Sequence, residues 1–233
     1  MEIVSLGEVL AKKNAKNVAK YDALLSKLKK YEAANSSPNA TALMTCPHGA
    51  SLEKPEIVLF FKLYLGLIHG VNEIKKVIPS YEKPVYGGKS IDFQKLILPV
   101  REKMWQNPDW ITEYIEANSS ELSDEEAQIL RAWKTHFVST RFIAMKHYKN
   151  CTALLGDNKL YAVRGISHHM QETIPMDVPC FLDVVLIPFK GRIIYDSIVH
   201  PYQIRFGGNM KASLNQEFKD IAAKHGIIET LGG

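Results

Sequence analysis

The hydrophobic pattern of this chain changes period once, and that change limits the folds open to it. Up to Trp133, apolar residues recur at helical spacing. From His136 onward, short apolar runs separated by turn residues take over, which is the signature of strands. In the first part, the spacing predicts a helix from Pro55 to about Val77 and a second from Ile91 to Gln106 with Ser90 as its N-cap. Pro99 is expected to kink or divide that second helix. Pro108 should open a short helix over Asp109 to Ala117. Ser123-Asp124-Glu125-Glu126 reads as a capping box that starts a helix carrying Ile129, Leu130 and Trp133.

In the second part, His136 to His147 reads as a strand of imperfect alternation, with a continuing helix as the alternative, and Cys151 to Leu155 and Lys159 to Ile166 read as strands joined by a turn at Gly156-Asp157-Asn158. Cys180 to Ile187 is an apolar run of strand length. Pro188-Phe189-Lys190-Gly191 turns into Arg192 to Tyr195, and Tyr202 to Phe206 is expected to add a further short strand. Lys211 to His225 fits a closing helix. The expected fold class is α+β: a helical N-terminal half followed by a mostly antiparallel sheet, wired as a meander, with a C-terminal helix. The expected division is a helical region over 1–134 with a linker near 35–50, then a β-rich region over 135–233. One continuous domain is also compatible with the pattern.

Composition removes several classes. With 46% hydrophobic and 23% charged residues in 233, the chain is neither disordered nor fibrous. Three cysteines (Cys46, Cys151 and Cys180) without a CxxC spacing indicate no disulfide framework and no structural zinc site. The most apolar stretch, Ile57 to Val71, is interrupted by Lys62 and His69 and reads as too short to cross a bilayer, so no membrane span is expected. Met1 to Ser5 lacks the basic and apolar regions of a secretory signal, and a cytoplasmic location is expected.

The net charge of +4 is concentrated at one end. Residues 1–30 hold seven lysines and three acidic residues, and the remainder carries equal numbers of each sign. Wound as a helix, residues 6–31 place Leu6, Leu10, Val18, Tyr21, Leu24, Leu25 and Leu28 on one arc, with Lys12, Lys13, Lys16, Lys20, Lys27 and Lys30 on another. Such a basic amphipathic segment suits an acidic protein, a nucleic acid or an anionic membrane surface, although a solvated lysine face on an ordinary surface helix has the same pattern.

No assembled catalytic motif is present. Gly87-Gly88-Lys89-Ser90 has the end of a phosphate-binding loop, but Lys83 stands where its first glycine belongs and Pro84 intervenes. Cys46-Pro47-His48 puts a thiol near an imidazole without a third, orienting group. The second half is richer. His168, His169, Asp183, Asp196 and His200 are residue types that could hold a divalent metal and activate water, although His168 and His169, being adjacent, point to opposite faces of an extended chain. Asp183 interrupts an apolar strand and is expected to be buried and paired with Lys190, Arg192 or Arg205. Arg141, Phe142, Lys146, His147, Tyr148 and Lys149, with Tyr202, Arg205 and Phe206, form a basic and aromatic set that could stack bases and track phosphates if they share one face.

The run Leu186-Ile187-Pro188-Phe189-Lys190-Gly191-Arg192-Ile193-Ile194-Tyr195-Asp196, followed by Tyr202-Gln203-Ile204-Arg205-Phe206-Gly207, resembles a pattern found in bacterial proteins of unassigned activity. The resemblance covers at most the last hundred residues and implies no activity. The sequence therefore predicts a binding or regulatory protein without a cofactor. Its protein or nucleic-acid partner would be met by Lys12, Lys13, Lys16, Lys20 and Lys27, or by a sheet face carrying Tyr202 and Arg205. Metal-assisted hydrolysis by His168, His169, Asp183, Asp196 and His200 is the enzymatic alternative.

Overall fold

The computed structural model describes residues 51–79, 93–174 and 176–232. The lysine-rich segment, the linker near 35–50, Cys46-Pro47-His48 and Gly87-Gly88-Lys89-Ser90 lie outside the described residues. The order of elements is α1 (Lys54–Lys75), α2 (Phe93–Gln106), α3 (Asp109–Ala117), α4 (Asp124–His136), β1 (Val138–His147), β2 (Thr152–Gly156), β3 (Lys159–Val163), α5 (Met170–Thr173), β4 (Cys180–Phe189), β5 (Arg192–Pro201) and α6 (Gly208–His225). The α+β class holds, with helices first, strands next and a helix at the end.

Local signals account for most boundaries. Pro55 lies in the first turn of α1, where its missing N–H costs nothing, and a Glu53/Glu56 capping box precedes the helix. Ser123 Oγ accepts the Glu126 N–H, and the Glu126 carboxylate accepts the Ser123 N–H at 3.0 Å, as the capping box predicts. The two-residue turns Asp157-Asn158 and Lys190-Gly191 have positive φ at both positions, the conformation that matches strand twist in tight hairpins. Pro99 sits inside α2 without dividing it. Tyr202 to Phe206 forms no strand; the pairing of β5 runs on through Pro201 and stops there.

The sheet differs from a simple meander. The strands close into a barrel in the order β1-β2-β3-β5-β4, with β3 parallel to β5 and every other pair antiparallel. This is the wiring of an OB-type Greek-key barrel. A barrel removes free sheet edges, and here alternate residues fill its interior: Phe142, Ala144, Thr152, Leu154, Tyr161, Val163, Leu182, Val184 and Leu186, all buried. The β3–β5 seam is the weakest, paired only at Val163 and Ile193. The chain beyond α6 adds to β3 there: the Ala162 N–H donates to the Ile228 carbonyl and the Ile228 N–H to the Leu160 carbonyl, each at 2.8 Å.

The outer face of β4 is covered by α1 and α4. Phe60 packs against Phe189 and Trp133, and the Trp133 indole N–H donates to the Pro188 carbonyl at 2.9 Å. At 22 residues, α1 is longer than the apolar run suggested and, by length and composition, long and apolar enough to cross a membrane. Length therefore does not exclude a span. What assigns α1 to the core is burial: Phe60, Tyr64, Leu67 and Val71 are at 0% exposure. Tyr114 of α3 lies across Gly66 and Gly70, where a methyl group would collide with its ring or hydroxyl.

Arg101 and Trp105, one turn apart on α2, both reach Asp196 of β5. The guanidinium donates at 2.6 and 3.0 Å and the indole at 2.7 Å, and the carboxylate has no exposure. A bulge in β5 between the pairs Leu186–Tyr195 and Val184–Val199 puts Ser197 at φ 72° and turns Asp196 toward α2. Replacing Arg101 with Met strands a buried carboxylate, and unfolding free energy should fall by about 3–5 kcal/mol. The double variant Arg101→Met/Asp196→Leu should recover much of that loss. Urea denaturation of wild type, single and double variants measures both.

Candidate functional site

The five residues expected to act together do not share one site, although Asp183 and His200 adjoin. Asp196 is committed to Arg101 and Trp105. Burial pushes its carboxyl up, and the guanidinium, the indole and the Ile198 N–H oppose that push by stabilising the ionised form. His169 is buried as the N-cap of α5: its Nδ1 accepts the Gln171 N–H at 3.0 Å and its Nε2 donates to the Tyr148 carbonyl at 3.0 Å. Those two bonds hold the ring in one orientation. His168, its neighbour, is exposed. Asp183 and His200 are register partners on β4 and β5. Among the described residues, no three His, Cys, Asp or Glu side chains are grouped where they could hold a metal ion.

Asp183 is exposed, not buried, and two of its three expected cations, Lys190 and Arg192, are engaged elsewhere. Lys190 meets Glu125 at 2.9 Å, and Arg192 forks onto Glu56 at 2.5 and 2.9 Å. Against the cost of burial, that guanidinium and the Glu53 N–H hold the Glu56 carboxyl below its usual range. The reason for the difference lies in the sheet. The helices cover the outer face of β4 only at one end, and Asp183 lies beyond the cover.

In the register of β1, β4 and β5, Arg141 stands opposite Asp183, and Asp183 opposite His200. All three are exposed. The strip continues into Tyr202, whose ring meets His200 edge to face at 5.6 Å between centroids. Along β4, the next outward residue is Phe181, which packs on Phe206 at 4.9 Å. Arg205 is exposed beside it in sequence, as are Gly207 and Gly208 at the start of α6, where added methyl groups would meet open space. Tyr202 thus falls beside His200, in line with Asp183 and Arg141, in a strip between the helical cover and the base of α6, and Arg205 is an exposed residue of the chain that follows it.

The rest of the basic and aromatic set does not join this strip. Phe142 is inside the barrel, edge to face with Tyr161. Lys146 lies over the Tyr148 ring at the far end of β1, beyond a bulge at Ala144/Lys146. His147 turns inward, its Nδ1 2.9 Å from Thr152 Oγ1 and its ring 5.9 Å from that of His169. Neither described cysteine is activated: burial pushes the Cys151 thiol up and carries Cys180 to about 11.

Sequence reasoning missed Arg101, Trp105 and Tyr64, which surround Asp196. The i, i+4 spacing of Arg101 and Trp105 on an amphipathic helix was the available signal, though it does not name the partner. Tyr64 Oη is buried without a hydrogen-bond partner among the described residues, and burial raises its pKa well above the usual phenol range.

Burial and the nearby His169 lower the pKa of His147 below its ordinary value. The unfolded chain therefore binds this proton more readily. The stabilisation is complete above the unfolded pKa, near 6.5, and is lost as pH falls through the folded value. Urea midpoints measured between pH 7.5 and pH 5 should decline for wild type and decline less for His147→Gln.

No family model, curated protein or solved structure matches this chain.

Proposed function

We propose that the protein is a binding protein whose partner is single-stranded nucleic acid, met by the open strip on β1, β4 and β5. The observation that carries this reading is the cross-strand row Arg141–Asp183–His200, continued by Tyr202 and left uncovered between two helical covers. Guanidinium groups at Arg141 and Arg205 suit phosphates, and the Tyr202 and His200 rings offer faces on which bases stack. The exposed Asp183 accepts hydrogen bonds, so it can discriminate among base edges.

The barrel type adds an argument by analogy. OB-type barrels bind oligonucleotides and oligosaccharides, commonly on the β2–β3 face. In this chain α6 covers part of that face: Leu214 packs on Met145, Leu155 and Leu160. A partner of the closed molecule is thereby directed to the neighbouring strip. The lysine-rich residues 12–27 supply the sequence with additional cations for the same polyanion. A cytoplasmic location belongs to this reading.

The test is fluorescence anisotropy of the full chain with a labelled single-stranded 20-mer across a salt series. Arg141→Ala with Arg205→Ala should weaken binding about tenfold and flatten the log–log salt slope by about 1.4, the value for two lost phosphate contacts. Tyr202→Ala should cost about 1–3 kcal/mol of affinity. Neutralising Lys12, Lys16 and Lys20 should reduce the salt dependence without changing the melting temperature. Absence of salt-sensitive binding by the unaltered chain refutes the proposal.

A further inference from the structure

The open strip carries one group that a general grip on a polyanion does not explain. Asp183 sits in the middle of it, between Arg141 on β1 and His200 on β5. A carboxylate repels phosphates, so it weakens the hold on every strand alike unless some group of the ligand offsets it.

The fold makes no use of this carboxylate. Among the described residues, no ion pair or hydrogen bond holds it, although Arg141 stands opposite in register. Lys190 and Arg192 are engaged by Glu125 and Glu56. The buried Arg101 feels the charge of Asp183, but that guanidinium is forked onto Asp196. Asp183 is exposed, and both of its oxygens remain available as acceptors.

The choice of base follows from acceptor geometry. An ionised carboxylate only accepts, and its two oxygens form a fork. Unpaired bases offer their Watson–Crick edges to such a fork. Of the standard bases, guanine alone places two donors side by side there, N1–H and N2–H. In adenine and cytosine the amino group adjoins a ring nitrogen that is itself an acceptor. In thymine and uracil a single N–H lies between two carbonyls. Those edges set one carboxylate oxygen against a lone pair, a repulsion that selects against them. Beside N1–H, guanine carries the acceptor O6. Neutral or charged, an imidazole has a ring N–H to donate, and His200 lies directly across from Asp183, at the short spacing of cross-strand neighbours. Tyr202, whose ring meets that of His200, supplies a face on which the same base stacks.

From this row, we infer that the strip reads guanine: Asp183 accepts N1–H and N2–H of an unpaired guanine, and His200 donates to its O6. The inference rests on the nucleic-acid reading above. It makes Asp183 the residue that sets specificity, whereas Arg141, Arg205 and the lysines set affinity.

The experiment measures fluorescence anisotropy of the full chain with labelled single strands: an all-thymidine 20-mer, and the same 20-mer carrying isolated guanines, adenines, cytosines or hypoxanthines in the same places. Hypoxanthine keeps N1–H and O6 and lacks the N2 amino group. The guanine strand should bind about tenfold tighter than the thymidine strand, the discrimination that a bidentate base contact gives. Hypoxanthine should lose most of that gain. Asp183→Asn should erase the guanine preference, because its amide sets a donor against a base donor. The same variant should bind the thymidine strand more tightly, because a negative charge leaves the path of the phosphates, and its melting temperature reports that the fold is intact. Free guanosine monophosphate should not displace the strand. If it does so as well as unlabelled guanine strand, the site takes a nucleotide and the inference is overturned. Equal, salt-sensitive binding of every strand, or a guanine preference that survives in Asp183→Asn, overturns the inference and leaves the nucleic-acid reading standing. Absence of salt-sensitive binding removes both.

Discussion

A buried carboxylate, Asp196, ties α2 to the barrel. Burying a charge of that size costs several kcal/mol unless it is fully paired, and the three hydrogen bonds from Arg101 and Trp105 supply the compensation. The pairing demands that β5 bulge, that Ser197 take a left-handed backbone and that α2 run close over the strand. Apolar packing alone would tolerate α2 at several angles, whereas a forked guanidinium with an indole one turn away accepts one. The buried ion pair therefore contributes geometry more than net stability, and it places the edge of the helical cover.

That edge decides what the surface offers. Along one face of β4, Phe189 and Ile187 lie under aromatic and aliphatic side chains of the helices, while Asp183, three alternations from Phe189, stands in water. The same strand thus serves as core at one end and as an exposed platform at the other. Beyond Asp183, Phe181 and Phe206 begin a second apolar region that ends under α6. The polar row Arg141–Asp183–His200 is what remains between two covers.

Much of this was legible in the sequence because it is local. The Ser123/Glu126 box, Pro55, Pro108 and the turns at Asp157-Asn158 and Lys190-Gly191 act within four residues of themselves, and the structure places helices and hairpins there. Barrel closure was not legible. Whether β5 lies beside β4 alone or also beside β3 depends on contacts separated by about thirty residues, for which neither alternation nor turn chemistry carries a signal. Asp183 shows the same limit. An apolar strand predicts cover on both faces, but the end of that cover is set by α1 and α4, whose positions the strand does not encode. Asp196, four residues into the next strand, looked equally available for chemistry and proved to be the buried anchor.

Two kinds of helix attachment follow from the same physics. An ion pair or a buried hydrogen bond specifies one partner in one orientation, because releasing it exposes an unpaired group to a poor dielectric. An apolar seat is less demanding, since any surface of matching shape recovers the same burial. Helices α1, α2 and α4, fixed by Glu56, Arg101 and Trp133, are bound to their own barrel by the first kind of contact. The segment from Leu214 to Ile228 is bound by the second kind, plus two main-chain hydrogen bonds to β3. Side chains that fix α1, α2 and α4 on the barrel are thus polar, and the closing helix is held by apolar contact and main-chain hydrogen bonds.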